Sequence, residues 1–167
     1  VNIPRPVRGF AYQTFYRMPH PVRRRLARMI SPKFLVGAVV LVRDSEAPGA
    51  GRMLLLRQPP GRRWGLPAGL LKYREEPHVG AARELFEESG IQVGPEALEP
   101  ATPNAVVHVK GWVDMVFTVA VPASVTELVV DGGEVLEAAW FPMDRLPSLT
   151  VNTAALLGKY GIGPWAA

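Results

Sequence analysis

Residues 69–91 read GLLKYREEPHVGAARELFEESGI. The spacing in its second half predicts a helix over Pro77–Ser89. Proline suits the first helical turn, Glu75 and Glu76 lie at the positive end of the helix dipole, and Gly90 supplies a left-handed cap. On a helical wheel Val79, Ala82, Leu85, Phe86 and Ser89 form a stripe that can be buried. Glu84, Glu87 and Glu88 fall on the other side, within an arc of about 100°.

Like charges three and four residues apart disfavour a helix by roughly 0.2–0.5 kcal/mol per pair. A bound cation reverses the sign of that effect. The donors on offer are all oxygens, which suits a hard ion, Mg²⁺ or Mn²⁺, better than zinc. Magnesium keeps waters and shares substrate phosphates rather than sitting in an all-protein cage. The row therefore points to phosphate chemistry. Taken without its surroundings, the same row also reads as a solvated helix face.

Working outward, Phe34–Arg43 is rich in Val and Leu and reads as a buried strand, with Asp44–Gly51 as a turn and Arg52–Arg57 as its hairpin partner. Ala105–Val109 and Val113–Val121 read as two more strands around a Lys110–Gly111 turn, and Glu134–Phe141 as another. Asp144–Pro147 and Thr153–Tyr160 read as short helical pieces. Interleaved strands and helices, with hairpins present, predict an α/β domain with a mixed sheet. Residues 1–20 carry prolines and aromatics and are expected to be irregular. Pro21–Ile30 reads as a short basic amphipathic helix, with Val22, Leu26, Met29 and Ile30 opposite Arg23, Arg24, Arg25 and Arg28.

Charge is distributed unevenly. Residues 1–63 carry 13 basic and 2 acidic side chains, residues 64–167 carry 6 and 13. The first part can face an anionic substrate, nucleic acid or lipid headgroups, and the second can hold a divalent cation. The absence of cysteine excludes disulfides, thiolate nucleophiles and cysteine-based metal centres. The longest purely apolar run, Phe34–Val42, is too short to span a bilayer. With no secretory leader read at the N-terminus, a cytoplasmic location is expected.

From Gly69 to Ile91 the pattern is Gly, five residues, Glu, seven residues, then Arg-Glu-hydrophobic-x-Glu-Glu-x-Gly-hydrophobic, carried by Gly69, Glu75, Arg83, Glu84, Leu85, Glu87, Glu88, Gly90 and Ile91. This segment resembles the Nudix box at every one of those positions. Trp64–Gly69 before it and Glu137–Pro142 after it look like the flanks of a Nudix domain. The resemblance covers roughly residues 34–150 and implies an α/β/α sandwich around a mixed sheet. The chain then divides into a basic extension, 1–33, and a Nudix domain, 34–167.

The resemblance also implies an activity: metal-dependent hydrolysis of a nucleoside diphosphate linked to another moiety, with Mg²⁺ or Mn²⁺. Glu84, Glu87 and Glu88 would be the metal carboxylates, joined by a backbone carbonyl at Ala68 or Gly69. Glu75 and Arg83 would latch the loop to the helix. The general base would be a box glutamate, Glu84 or Glu87, or a loop glutamate, with Glu134 ahead of Glu137. Relatives usually carry glycine where this chain has Ala68 and Arg74, and glutamate where it has Lys72. Lys72, Arg74 and Arg57 are candidates to grip phosphates, and Trp112 to stack on a base. The sequence marks of ADP-ribose, diadenosine polyphosphate, NADH and coenzyme A hydrolases are absent. That leaves a nucleoside triphosphate, a nucleotide sugar or a substrate outside the common set. The alternatives are the 5′ end of RNA, or a module binding RNA or another acidic partner through the basic arm. Relatives often pair as dimers.

Overall fold

The computed structural model describes residues 5–108 and 111–166, so the strand end expected at Val109 and the turn position Lys110 lie outside the described residues. The chain forms two compact units, Val1–Lys33 and Phe34–Ala167. The first holds helices α1 (Arg5–Arg17) and α2 (His20–Ile30). The helix α1 corrects the expectation of an irregular arm. Pro6 falls in its first turn, where a missing N–H costs nothing, and no proline recurs before Pro19. None of α2 is buried. Arg23 lies over the Tyr16 ring, 5.5 Å from its centroid.

The second unit runs β1 (Leu35–Asp44), β2 (Arg52–Arg57), β3 (Trp64–Gly65), β4 (Ala68–Leu70), α3 (Pro77–Ser89), β5 (Glu99–His108), β6 (Trp112–Val121), β7 (Glu137–Pro142) and α4 (Val151–Gly158). Among the described residues, all seven strands join one sheet ordered β3-β2-β1-β6-β5, with β4 on β1 and β7 on β2. Among the strands described, β1 and β6 pair in parallel and the other strand pairs are antiparallel, so the sheet is mixed. Central β1 is buried on both faces from Gly37 to Val42, as its unbroken apolar run requires.

Helices cover both faces. Ala38, Val40, Val42, Leu54 and Leu56 pack with Ala81, Ala82 and Leu85 of α3. Val39, Leu41, Met53, Leu55 and Val116 pack with Ala154, Leu156 and Leu157 of α4. The result is the α/β/α sandwich.

Several boundaries differ from the sequence reading. β5 starts at Glu99 and changes register between Pro100 and Ala105, so its first half shows no clean alternation. β7 starts at Glu137, because the Asp131 carboxylate takes the backbone N–H groups of Gly133 (3.0 Å) and Val135 (3.1 Å) and closes a turn that leaves Glu134 in a loop. Residues 144–147 are not helical: Met143 and Asp144 lie in a turn closed by the Arg145 N–H on the Pro142 carbonyl at 3.0 Å, and α4 begins after Thr150, whose hydroxyl accepts from the Thr153 N–H at 3.2 Å.

Candidate active site

The helix α3 ends at Gly90 in the left-handed conformation (φ 75°). Its buried face is Gly80, Ala81, Ala82, Leu85, Glu88 and Ser89, whereas Val79 and Phe86 are exposed. The stripe is thus rotated from the expected one. Small residues let the helix come close: a Cβ on Gly80 would lie 2.4 Å from Leu71 Cδ2. The rotation buries Glu88, whereas Glu84 is half-buried and Glu87 exposed.

The loop before α3 is tied to it by one guanidinium. Arg83 Nε donates to Glu75 Oε1 and Arg83 Nη2 to Glu75 Oε2, both at 2.9 Å, and Nη2 also reaches the Leu70 carbonyl at 3.2 Å. The Lys72 backbone N–H adds a third bond to Glu75, at 2.8 Å. These hydrogen bonds, Arg83's first, pull the Glu75 carboxyl down to about 2. Arg83 Nη1 also donates to Glu84 (2.6 Å) and Glu87 (2.8 Å).

Glu88 is 6% exposed. The Ala68 N–H donates to its Oε2 and Gln58 Nε2 to its Oε1, each at 2.8 Å. Burial, with the charges of Glu84 and Glu134 added, pushes its carboxyl up to about 7 against those two hydrogen bonds. The field of Glu134 therefore reaches Glu88 from an exposed loop. Glu137 is engaged instead in an ion pair with Arg57. Gln58 could not be picked out in the sequence. It lies just outside β2, 30 residues from Glu88, and no local pattern marks that contact.

The strand register decides which carbonyl faces the helix. Val40 N–H donates to the Pro67 carbonyl and Leu71 N–H to that of Val36, with Ala38 opposite Gly69. By the two-residue alternation of an antiparallel ladder, the Gly69 carbonyl turns toward β1 and those of Ala68 and Leu70 turn away from it. Arg83 on the Leu70 carbonyl and Glu88 on the Ala68 N–H fit that polarity. Of the two carbonyls the sequence left open, Ala68 is the one on the helix side. Gly69 contributes by lacking a side chain, since a Cβ there would lie 2.0 Å from Glu84 Cδ. Gly69→Ala is expected to leave the melting temperature within a few degrees, because Glu84 can swing away. Divalent-metal affinity should fall about 10–100-fold, read by calorimetric titration.

Among the described residues no three His, Asp or Glu side chains converge as a ready metal cage. Arg83 holds Glu84 and Glu87 while Glu88 turns inward. The donor set nevertheless fits a hard cation. It is all oxygen, it lies on adjacent turns of one helix, and it includes a buried carboxylate with no ion pair among the described residues.

The remaining candidates divide. Lys72 Nζ is 3.9 Å from Glu87 Oε1, at the exposed tip of the loop. Arg74 lies next to it, its guanidinium 5.2 Å from the Tyr73 ring centroid, with φ 65°. A left-handed arginine costs about 1–2 kcal/mol, partly offset by the entropy a glycine would lose on folding. Arg74→Gly should therefore stabilise the protein by about 0.5–1 kcal/mol in a denaturant titration. Arg57, taken up by Glu137 and lying 5.7 Å from the Trp64 ring centroid, is held within the fold.

Trp112 does not join the carboxylates. Its register with Leu35, and that of Val116 with Val39, puts it on the α4 face of the sheet. There Asp114 accepts from its indole N–H at 2.5 Å and contacts His108 Nε2 at 2.8 Å.

A family model described as NUDIX domain matches residues 33–159. A MutT-like protein of Streptomyces ambofaciens is 38% identical over 80 residues, which is 48% of this chain and 47% of that protein. A nucleoside triphosphate pyrophosphatase/Nudix hydrolase fusion protein of Bifidobacterium longum is 32% identical over 94 residues, 56% of this chain and 19% of that protein. The chain thus spans about half or less of the length of these relatives. Among solved structures, a MutT NUDIX hydrolase from Burkholderia pseudomallei superposes with TM-score 0.59 at 26% identity, covering 75% of this chain and 96% of that one. The NUDIX domain of Shewanella oneidensis NrtR, complexed with ADP ribose, shares the fold at TM-score 0.63 and 17% identity, over 86% and 97% of the two chains.

Proposed function

The chain belongs to the NUDIX domain family, and on that footing we propose that it hydrolyses a phosphoanhydride bond of a nucleoside diphosphate linked to another moiety, releasing a nucleoside monophosphate. The observation that carries this reading is Glu88: a buried carboxylate one turn from Glu84, accepting from the Ala68 N–H and the Gln58 amide. Glu84, Glu87, Glu88 and the Ala68 carbonyl would hold Mg²⁺ or Mn²⁺. Such an ion supplies charge neutralisation at the diphosphate and an acidified water. Glu134 would accept the proton of the attacking water, and Lys72 and Arg74 would meet the outer phosphates. The Glu75–Arg83 pair would hold the loop in place.

No helix among the described residues is long and apolar enough to cross a membrane. A small soluble nucleotide is the substrate this reading favours. The RNA alternative rests on the four arginines of α2, a helix with no buried residue. The test is a panel of nucleoside triphosphates, nucleotide sugars, ADP-ribose and 5′-triphosphorylated RNA, with products separated by chromatography. A nucleoside monophosphate from one of the small nucleotides is expected, with a rate insensitive to added salt. Turnover confined to RNA and falling steeply with salt would favour the alternative.

A further inference from the structure

The first compact unit carries charge of one sign. Residues 1–33 hold eight basic side chains and no acidic one. None of the described side chains among them is buried. A helix on the surface of a folded domain keeps its apolar stripe out of water. The helix α2 does not. Val22, Leu26, Met29 and Ile30 fall within an arc of about 100° on its wheel, and all four are exposed. Met29 and Ile30, at 75% and 73% exposure, stand largely in solvent.

Arginines frame that stripe. On the wheel Arg25 borders it beside Met29 and Arg23 beside Ile30, while Arg24 and Arg28 lie behind. The side chains of Arg24, Arg25 and Arg28 carry no hydrogen bond or ion pair among the described residues. Arg23 lies over the exposed ring of Tyr16, which sets an aromatic with a polar tip at the same margin.

Two kinds of polyanion match this charge, a nucleic-acid backbone and an anionic bilayer surface. The apolar stripe separates them. Phosphates of RNA satisfy the arginines and leave Val22, Leu26, Met29 and Ile30 in water. The boundary between headgroups and acyl chains takes both. There a flat-lying helix sinks its apolar face by about 5–10 Å, marginal arginines reach back to the phosphates, and tyrosine sits at headgroup level. We propose that α2 docks the protein on an anionic phospholipid surface, with Val22, Leu26, Met29 and Ile30 inserted and its arginines on lipid phosphates. The docking uses none of the α3 carboxylates, so it stands or falls separately from the hydrolase reading.

The test is flotation of the full chain with vesicles of phosphatidylcholine, and of phosphatidylcholine mixed equally with phosphatidylglycerol. Binding to the anionic vesicles alone is expected, weakening at high salt. The variant Arg24→Gln/Arg25→Gln/Arg28→Gln should bind them about 100-fold more weakly. Leu26→Ser/Met29→Ser/Ile30→Ser keeps every charge and should still lose at least about tenfold. The substituted positions are all exposed, so both variants should melt with wild type. A parallel titration with single-stranded RNA separates the two polyanions. A serine variant that loses the vesicles, whether or not it binds RNA, supports the proposal. No binding to anionic vesicles, equal binding to neutral ones, or a serine variant that binds vesicles like wild type overturns it. RNA held by wild type and serine variant alike, with no vesicle binding by either, assigns the arginines to nucleic acid instead.

Discussion

Glu88→Gln is expected to lower divalent-metal-dependent turnover by about 10²–10⁴-fold, the range for losing a central acid–base or metal-holding group. The same change should make the metal-free protein more stable at pH 8. The sign follows from the direction of the shift. Burial raises the Glu88 carboxyl from 4.5 to about 7, so folding disfavours its charged form. The stability linked to this group is fully present below pH 4.5 and is lost as pH rises through about 7. At about 1.4 kcal/mol per unit, the loss is on the order of 3 kcal/mol. In chelator, wild-type melting temperature should therefore fall by roughly 6–12 °C between pH 5 and pH 8 from this source. Glutamine flattens that profile, since Gln58 can flip its amide to keep both hydrogen bonds. Added Mg²⁺ should restore wild type at pH 8 and leave the variant unmoved. Parallel pH profiles for the two proteins would contradict this account.

Arg83→Ala should be the most destabilising single change in the Glu75–Arg83 latch. It strips Glu75 of two hydrogen bonds and takes from Glu84 and Glu87 the guanidinium they share. The Arg83 and Glu75 side chains are 19% and 12% exposed, so the pair is neither fully buried nor freely solvated. A cost of about 2–4 kcal/mol follows, between the surface and buried limits. That corresponds to a drop of roughly 5–15 °C in melting temperature. Lysine should recover less than half of it, because it lacks the planar fork that meets Glu75 with two nitrogens. The acid limb supplies a second check. With its carboxyl held at about 2, Glu75 contributes stability present above pH 4.5 and lost as pH falls through about 2. Arg83→Ala should lose that contribution and unfold at a higher pH on acidification. A melting temperature within 2 °C of wild type would contradict the latch.

The extent of α3 was legible because its signals are local: a proline at the start, a glycine at the end, apolar residues between. Its rotation was not. Phe86 and Val79 are apolar enough to promise burial, but Gly80 and Ala81 set the side that can approach Leu71 and the sheet. Central β1 announced itself as an unbroken apolar run, whereas α1 was hidden by a proline that its first turn tolerates and by the aromatic residues after it.

The spacing of Gly69, Glu75, Arg83, Glu84, Glu87 and Glu88 was fully readable. Which backbone carbonyl faces the helix was not, because that depends on the β4–β1 register and not on residue type. The face on which Trp112 lies was hidden for the same reason. Strand alternation, set by pairing with β1, sends it to the α4 face.

The central claim is that the glutamates of α3 support anhydride hydrolysis through a divalent cation. Its most direct test is phosphate release from the nucleotide panel, coupled to a phosphatase, with wild type in Mg²⁺, wild type in chelator and Glu88→Gln in Mg²⁺. Turnover by wild type in Mg²⁺ alone is the predicted result. No turnover of any nucleotide, or equal turnover by Glu88→Gln, would contradict it.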